Sequence, residues 1–262
     1  MSGLQSPFPI RNRVDRSAGG FDHDARMVTK AEWDKQIRAM SADELRQHWD
    51  RDFGNLREDV LRILSNREVF EALDAEIVRT ERAGSGYFLG QFLRPTYVQS
   101  QALLLRRLGD GDRRSSSFRI MLEEMILRPD MLTRKWYVGR WAEHYPGDDF
   151  MVHMGDDEFS DEFGENAPHV PVEVLTTYRD DLEADLERVK RFADQFIAHR
   201  DRETLGPITW NDLNTAIDRL DHHLNVVGRI VTGAVTLTAA RITDDWRNVF
   251  RSGLFSDDND QR

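Results

Sequence analysis

The chain has 262 residues, 39% hydrophobic and 32% charged, with a formal net charge of −11. That length can bury a substantial core, while the acidic balance argues against a broadly basic nucleic-acid-binding surface. Cysteine is absent, which excludes disulfides and thiolate metal sites and fits a reducing compartment.

No apolar run approaches the ~20 residues needed to span a bilayer. Residues 1–28 are rich in Pro, Gly, Ser and Arg and lack an apolar signal core. They read as a mobile N-terminal arm of a cytoplasmic protein. A single helical domain is expected over residues 29–251.

It starts with two capping boxes, TKAE at residues 29–32 and SADE at 41–44. In each, a hydroxyl and a carboxylate satisfy the first free N–H groups of a helix reciprocally. Leu45, Trp49, Phe53, Leu56, Val60 and Leu64 then recur every three or four residues, as one helical face requires. A further helix is expected from Arg67 to about Arg82, stopping at AGSG. The next carries Pro95, expected to kink or restart it, and ends at Gly109 and Gly111.

SSSFRIMLEEMILRPD supplies another helix, ended by Pro129, and DMLTRKWYVGRWAEHY one more. Residues 146–171 then hold Asp148, Asp149, Asp156, Asp157, Glu158, Asp161, Glu162 and Glu165 with no Lys or Arg. Without those eight carboxylates the chain goes from −11 to −3. This stretch reads as a long acidic loop insertion, of a length that compact domains keep for function. Its composition suggests calcium, but alternating ligands, a central Gly and a final Glu in register are missing.

Two long helices close the domain, over residues 172–203 and from Thr209 to about Arg251, joined by TLGPIT. The short turn makes them antiparallel neighbours. The β-branched run VVGRIVTGAVTLTAARIT has no turn-bounded partner strand and reads as buried helix. Residues 252–262 form a frayed tail. The fold class is therefore an all-α antiparallel bundle.

The stretch RVKRFADQFIAHRD at residues 188–201 carries the chemistry. At about 100° per residue, Leu182, Leu186, Val189, Ala193 and Phe196 form the core stripe, and Arg188, Gln195, His199 and Arg202 project from its flank. Neighbouring cations disfavour a charged imidazole, leaving His199 able to accept a proton as a general base does. The alternative is a helix-end histidine that only solvates or caps carbonyls.

A long helix ending in FIAHRD, followed by a short turn and another long helix, resembles the HEPN superfamily, in particular its bacterial abortive-infection branch. YVQSQALLLRRLGD at residues 97–110 is similar to that branch's helix ending in an Arg-Leu-x-Asp element. The resemblance covers about residues 40–250 apart from the acidic insertion. It implies an all-α bundle that forms homodimers, and a cofactor-free, metal-independent endoribonuclease or toxin of an abortive-infection or toxin–antitoxin system.

Active members carry an Arg, a polar residue and, after a gap of four to six residues, a His. Two such motifs meet across the dimer and assist attack of a ribose 2′-hydroxyl on its neighbouring phosphate. On this mapping His199 is the motif His and Asp194 the polar residue. Ala193 stands where the Arg belongs, and Arg191 is the nearest substitute, with seven residues intervening. The resemblance thus implies a catalytic set of His199, Arg191 and Arg200, with RNA held by Arg188, Gln195, Arg202, Arg106 and Arg107. The displaced arginine keeps a second expectation open: an inactive module of the same fold that binds a cognate protein partner or nucleic acid as antitoxin, sensor or scaffold.

His222 and His223, adjacent in sequence, point about 100° apart on a helix and cannot form a helical zinc pair. Asp218, one turn before His222, could orient it across a dimer or merely solvate the same face. RRLGDGDRRSSS at residues 106–117 gathers Arg106, Arg107, Arg113 and Arg114 at a Gly turn that either holds phosphate or is only a solvated helix–helix turn, without the Gly-Lys-Ser/Thr ending of a P-loop.

Overall fold

The computed structural model describes residues 29–82, 87–198 and 208–233, and among them every named element is helical. The N-terminal arm, the tail and the turn after Ala198 lie outside the described residues. Both capping boxes form. Thr29 starts α1 (Lys30–Ala39), and Ser41 and Glu44 bond reciprocally at the start of α2 (Ala42–Arg82).

One helix of 41 residues replaces the two expected between Ser41 and Arg82. It is roughly 60 Å long at 1.5 Å per residue. The apolar stripe does not stop at Leu64: Ile63, Phe70 and Ile77, seven apart, are buried in turn. With no Gly or Pro between them, nothing ends the helix. Likewise α3 (Tyr87–Leu108) runs through Pro95 without restarting. Beside the proline, Arg94 is clamped by Asp74 at 2.6 Å and Glu81 at 3.1 Å, which ties α3 to α2.

Ser117 caps α4 (Phe118–Leu127), Thr133 caps α5 (Arg134–His144), and the Pro129–Met131 turn lies between them. The acidic loop is not a loop. Asp148 accepts from the amides of Phe150 and Met151 and starts α6 (Asp149–Phe163). Gly155, Phe159 and Phe163, each one turn apart, bury its inner face. Arg134 donates to Asp156 at 3.0 Å and Ser160 at 2.8 Å, and Arg229 lies 3.4 Å from Glu158. Arginines distant in sequence neutralise carboxylates that in isolation suggest a solvated segment.

Gly155 permits a close approach, since a Cβ there would lie 2.5 Å from Trp141 Cγ. Trp141 is itself buried and cannot swing away. Gly155→Ala is therefore expected to cost about 1–3 kcal/mol, the usual range for overpacking. A thermal or urea unfolding curve indistinguishable from wild type would contradict this.

After α7 (Val172–Phe192) comes a π-helical turn, Ala193–Ala198, and then α8 (Trp210–Thr232), started by a Thr209–Asp212 capping box. The antiparallel pairing holds, because its contacts run in opposite directions along the two chains. Arg188 pairs with Asp212 at 2.9 Å, Asp185 with His223 at 3.0 Å, and Tyr178 lies with Val226 and Ile230. The last helix was expected to reach Arg251. It is capped at Gly233, whose φ of 66° is left-handed, and later residues lie outside the described set. Helices α2, α3, α7 and α8 pack on one another around a continuous core, with α4 on α7 and the α5–α6 pair against α8.

Two buried histidine networks give opposite pH slopes. Glu124, 3% exposed, accepts from Trp49 Nε1 and His48 Nε2, both at 3.0 Å. The Glu124 hydrogen bond, helped by Asp52, raises His48 above its usual 6.5, against burial and Arg51. Burial lowers His223 below 6.5, opposed by Asp185 and Asp181 and assisted by His222. The His48 contribution is present below pH 6.5 and lost as pH rises through its elevated value. The His223 contribution is present above pH 6.5 and lost as pH falls through its depressed value. His48→Gln should therefore leave a protein whose melting temperature falls more steeply than wild type on acidification from pH 7.5. An unchanged slope would contradict the assignment.

Candidate functional site at the α3–α7 junction

The C-terminal turn of α3 docks on α7 because Gly109 leaves room for it: a Cβ there would lie 2.7 Å from Leu186 Cδ1. Lys190 Nζ, on α7, donates to Gly109 O at 3.1 Å and closes the junction. Arg106 then reaches the π-helical turn and donates from Nε to Asp194. Asp194, expected from the sequence to be the motif's polar residue, thus meets a guanidinium from α3 although position 193 holds alanine. That pair lifts Arg106 further above its usual value, chiefly through the Asp194 hydrogen bond.

Arg191, on α7, is 54% exposed and among the described residues makes only a loose contact of 3.7 Å with Glu187. Its guanidinium is thus accessible, one turn before Asp194. Gln195 carries a buried Oε1 with no hydrogen-bond partner among the described residues. A π turn widens the helix and interrupts its α-type ladder, and such turns occur frequently at functional sites. His199 and Arg200 follow the turn directly in sequence, and with Arg202 they lie outside the described residues.

The remaining candidates are not all gathered here. Arg107 turns away to Asp59 on α2, 2.7 Å away, and Asp59 is buried. Arg188 is engaged by Asp212, the residue that also completes the α8 capping box. At the Gly turn, Arg113 pairs with Glu123 and Arg114 with Asp112, so these two arginines are neutralised internally, which favours the solvated-turn alternative.

Asp218 does not orient His222, because Arg67 takes it at 2.5 Å. His222 is exposed, whereas His223 is buried against Asp185. Sequence reasoning missed that dyad, the π turn and the Arg106–Asp194 pair. The two pairs join residues 38 and 88 positions apart, and no local pattern marks them. Among the described residues no three His, Asp or Glu side chains converge as metal donors would, and no helix is long and apolar enough to cross a membrane.

The family model described as AbiU2, HEPN_AbiU2, matches residues 46–252. No curated protein and no solved structure matches the chain. The bounds of the match enclose α6. They also enclose the α3–α7 junction, Arg191 and His199. The chain belongs to the AbiU2 family, an abortive-infection branch of the HEPN superfamily.

Proposed function

We propose that this protein is a metal-independent endoribonuclease of a bacterial defence system, acting in the cytoplasm as a toxin that arrests its host. The observation that carries the reading is the π-helical turn Ala193–Ala198, lying between accessible Arg191 and His199, with its Asp194 clasped by Arg106. His199 takes the proton of a ribose 2′-hydroxyl, whose oxygen attacks the adjacent phosphorus. The P–O5′ bond breaks, a proton passes to the leaving 5′-oxygen, and a 2′,3′-cyclic phosphate remains. Arg191, aided by Arg200, stabilises charge on the phosphoryl oxygens. Arg106 is a positioning residue that holds Asp194 and the turn. Gln195 and Arg202 are the further RNA contacts of this reading, since Arg107 and Arg188 are held by Asp59 and Asp212. A homodimer brings two such sites together, and Phe88 and Phe92, 83% and 66% exposed on α3, offer apolar surface for a second copy.

A second reading is favoured by one observation, Ala193 at the motif arginine position. A chain without that guanidinium would keep the fold and bind a protein partner or nucleic acid without cutting.

End-labelled RNA distinguishes the two. Cleavage should leave 2′,3′-cyclic phosphate and 5′-hydroxyl ends, persist in chelator, and stop when the scissile ribose lacks its 2′-hydroxyl. RNA that stays intact, with no growth arrest on expression, would support the binding module.

A further inference from the structure

Away from the α3–α7 junction, a groove of about 280 Å³ opens between α2, α3 and the start of α8. Its floor is a stack of three rings. Phe70 lies 4.0 Å from Tyr97 at 18° and 5.1 Å from Trp210 at 25°. Phe70 and Tyr97 are buried, but Trp210 is 41% exposed, so part of a large ring backed by two others remains uncovered.

The polar groups on the wall are Glu71, Asp74 and Asn214, and no Lys, Arg or His lines the groove. Burial pushes Tyr97 up to about 12, which keeps its hydroxyl neutral. The charge in the groove is therefore that of two carboxylates. Asp74 is already bonded to Arg94, but Glu71 is exposed and has no ion-pair partner among the described residues. An aromatic face beside carboxylates attracts a cation through the ring quadrupole and through charge, and repels a phosphate-bearing chain. The protein uses the same pairing internally, with Arg113 5.1 Å over Trp33 and Arg134 4.8 Å over Phe159.

We propose that this groove binds an arginine side chain of a partner polypeptide, its guanidinium stacked on Trp210 and bonded to Glu71. Arginine suits the site better than lysine, because a flat guanidinium can stack and donate in parallel to one carboxylate. The stack is set at the first residue of α8, one position after its cap.

Calorimetric titration of the whole protein with a blocked Gly-Arg-Gly-Arg-Gly peptide should show saturable binding. Binding should weaken roughly tenfold when Arg becomes citrulline, its neutral isostere, because the cation is lost. Glu71→Gln, at an exposed position, should weaken it similarly without changing the melting temperature, and Trp210→Ala should also weaken it, with a lower melting temperature because the ring packs on Phe70 and Tyr97. Free arginine amide should bind more weakly than the peptide, and guanosine monophosphate should not compete. Absence of saturable binding, equal binding of the citrulline peptide, indifference to Glu71→Gln, or displacement by the nucleotide would each overturn the assignment. None of these outcomes depends on RNA cleavage.

Discussion

Replacing His199 by alanine is expected to lower RNA cleavage about 10²–10⁴-fold, the usual contribution of a positioned acid or base. The reason is chemical rather than architectural. His199 follows the π-helical turn, and the core positions Leu182, Leu186, Val189 and Ala193 precede it, all buried and all untouched by the change. Helicity and oligomeric state should therefore match wild type, and growth arrest on expression should vanish with cleavage. His222→Ala should do little, since that side chain is exposed on the middle of α8. Cleavage that survives in His199→Ala would remove the residue from the site.

Arg191→Ala is expected to lower the rate of the chemical step about 10²–10³-fold, as loss of a group stabilising a developing oxyanion does. The guanidinium is over half exposed and, among the described residues, has only a 3.7 Å contact to Glu187. The loss should fall on kcat more than on KM, because the charge it meets grows in the transition state. Arg106→Ala should act differently. It releases Asp194 without removing a group that touches phosphate, so the effect should be smaller, and Arg106→Lys should restore part of it. A loss in Arg106→Ala exceeding that in Arg191→Ala would exchange the two roles.

The parts of this fold readable in the sequence are those set by near neighbours along the chain. Thr29–Glu32, Ser41–Glu44 and Thr209–Asp212 are caps three residues wide, and all form. The spacing of Leu45, Trp49, Phe53 and Leu56 gives α2 its buried face. What sequence could not supply was compensation from afar. Residues 149–163 carry too much negative charge to look like a packed helix until Arg134 and Arg229 are placed against them. The α2 break expected near Arg67 fails because the buried stripe continues through Ile63, Phe70 and Ile77 with no Gly or Pro between them. At the candidate site, the sequence draws attention to Asp194, while the arginine that meets it comes from another helix.

The π turn also changes how the helical wheel should be read. A turn of this kind holds one residue more than the α turn it replaces, so the phase of the wheel slips there by about 100°. A wheel drawn at constant pitch, which sets Arg188, Gln195 and His199 on one flank, therefore does not carry across residues 193–198.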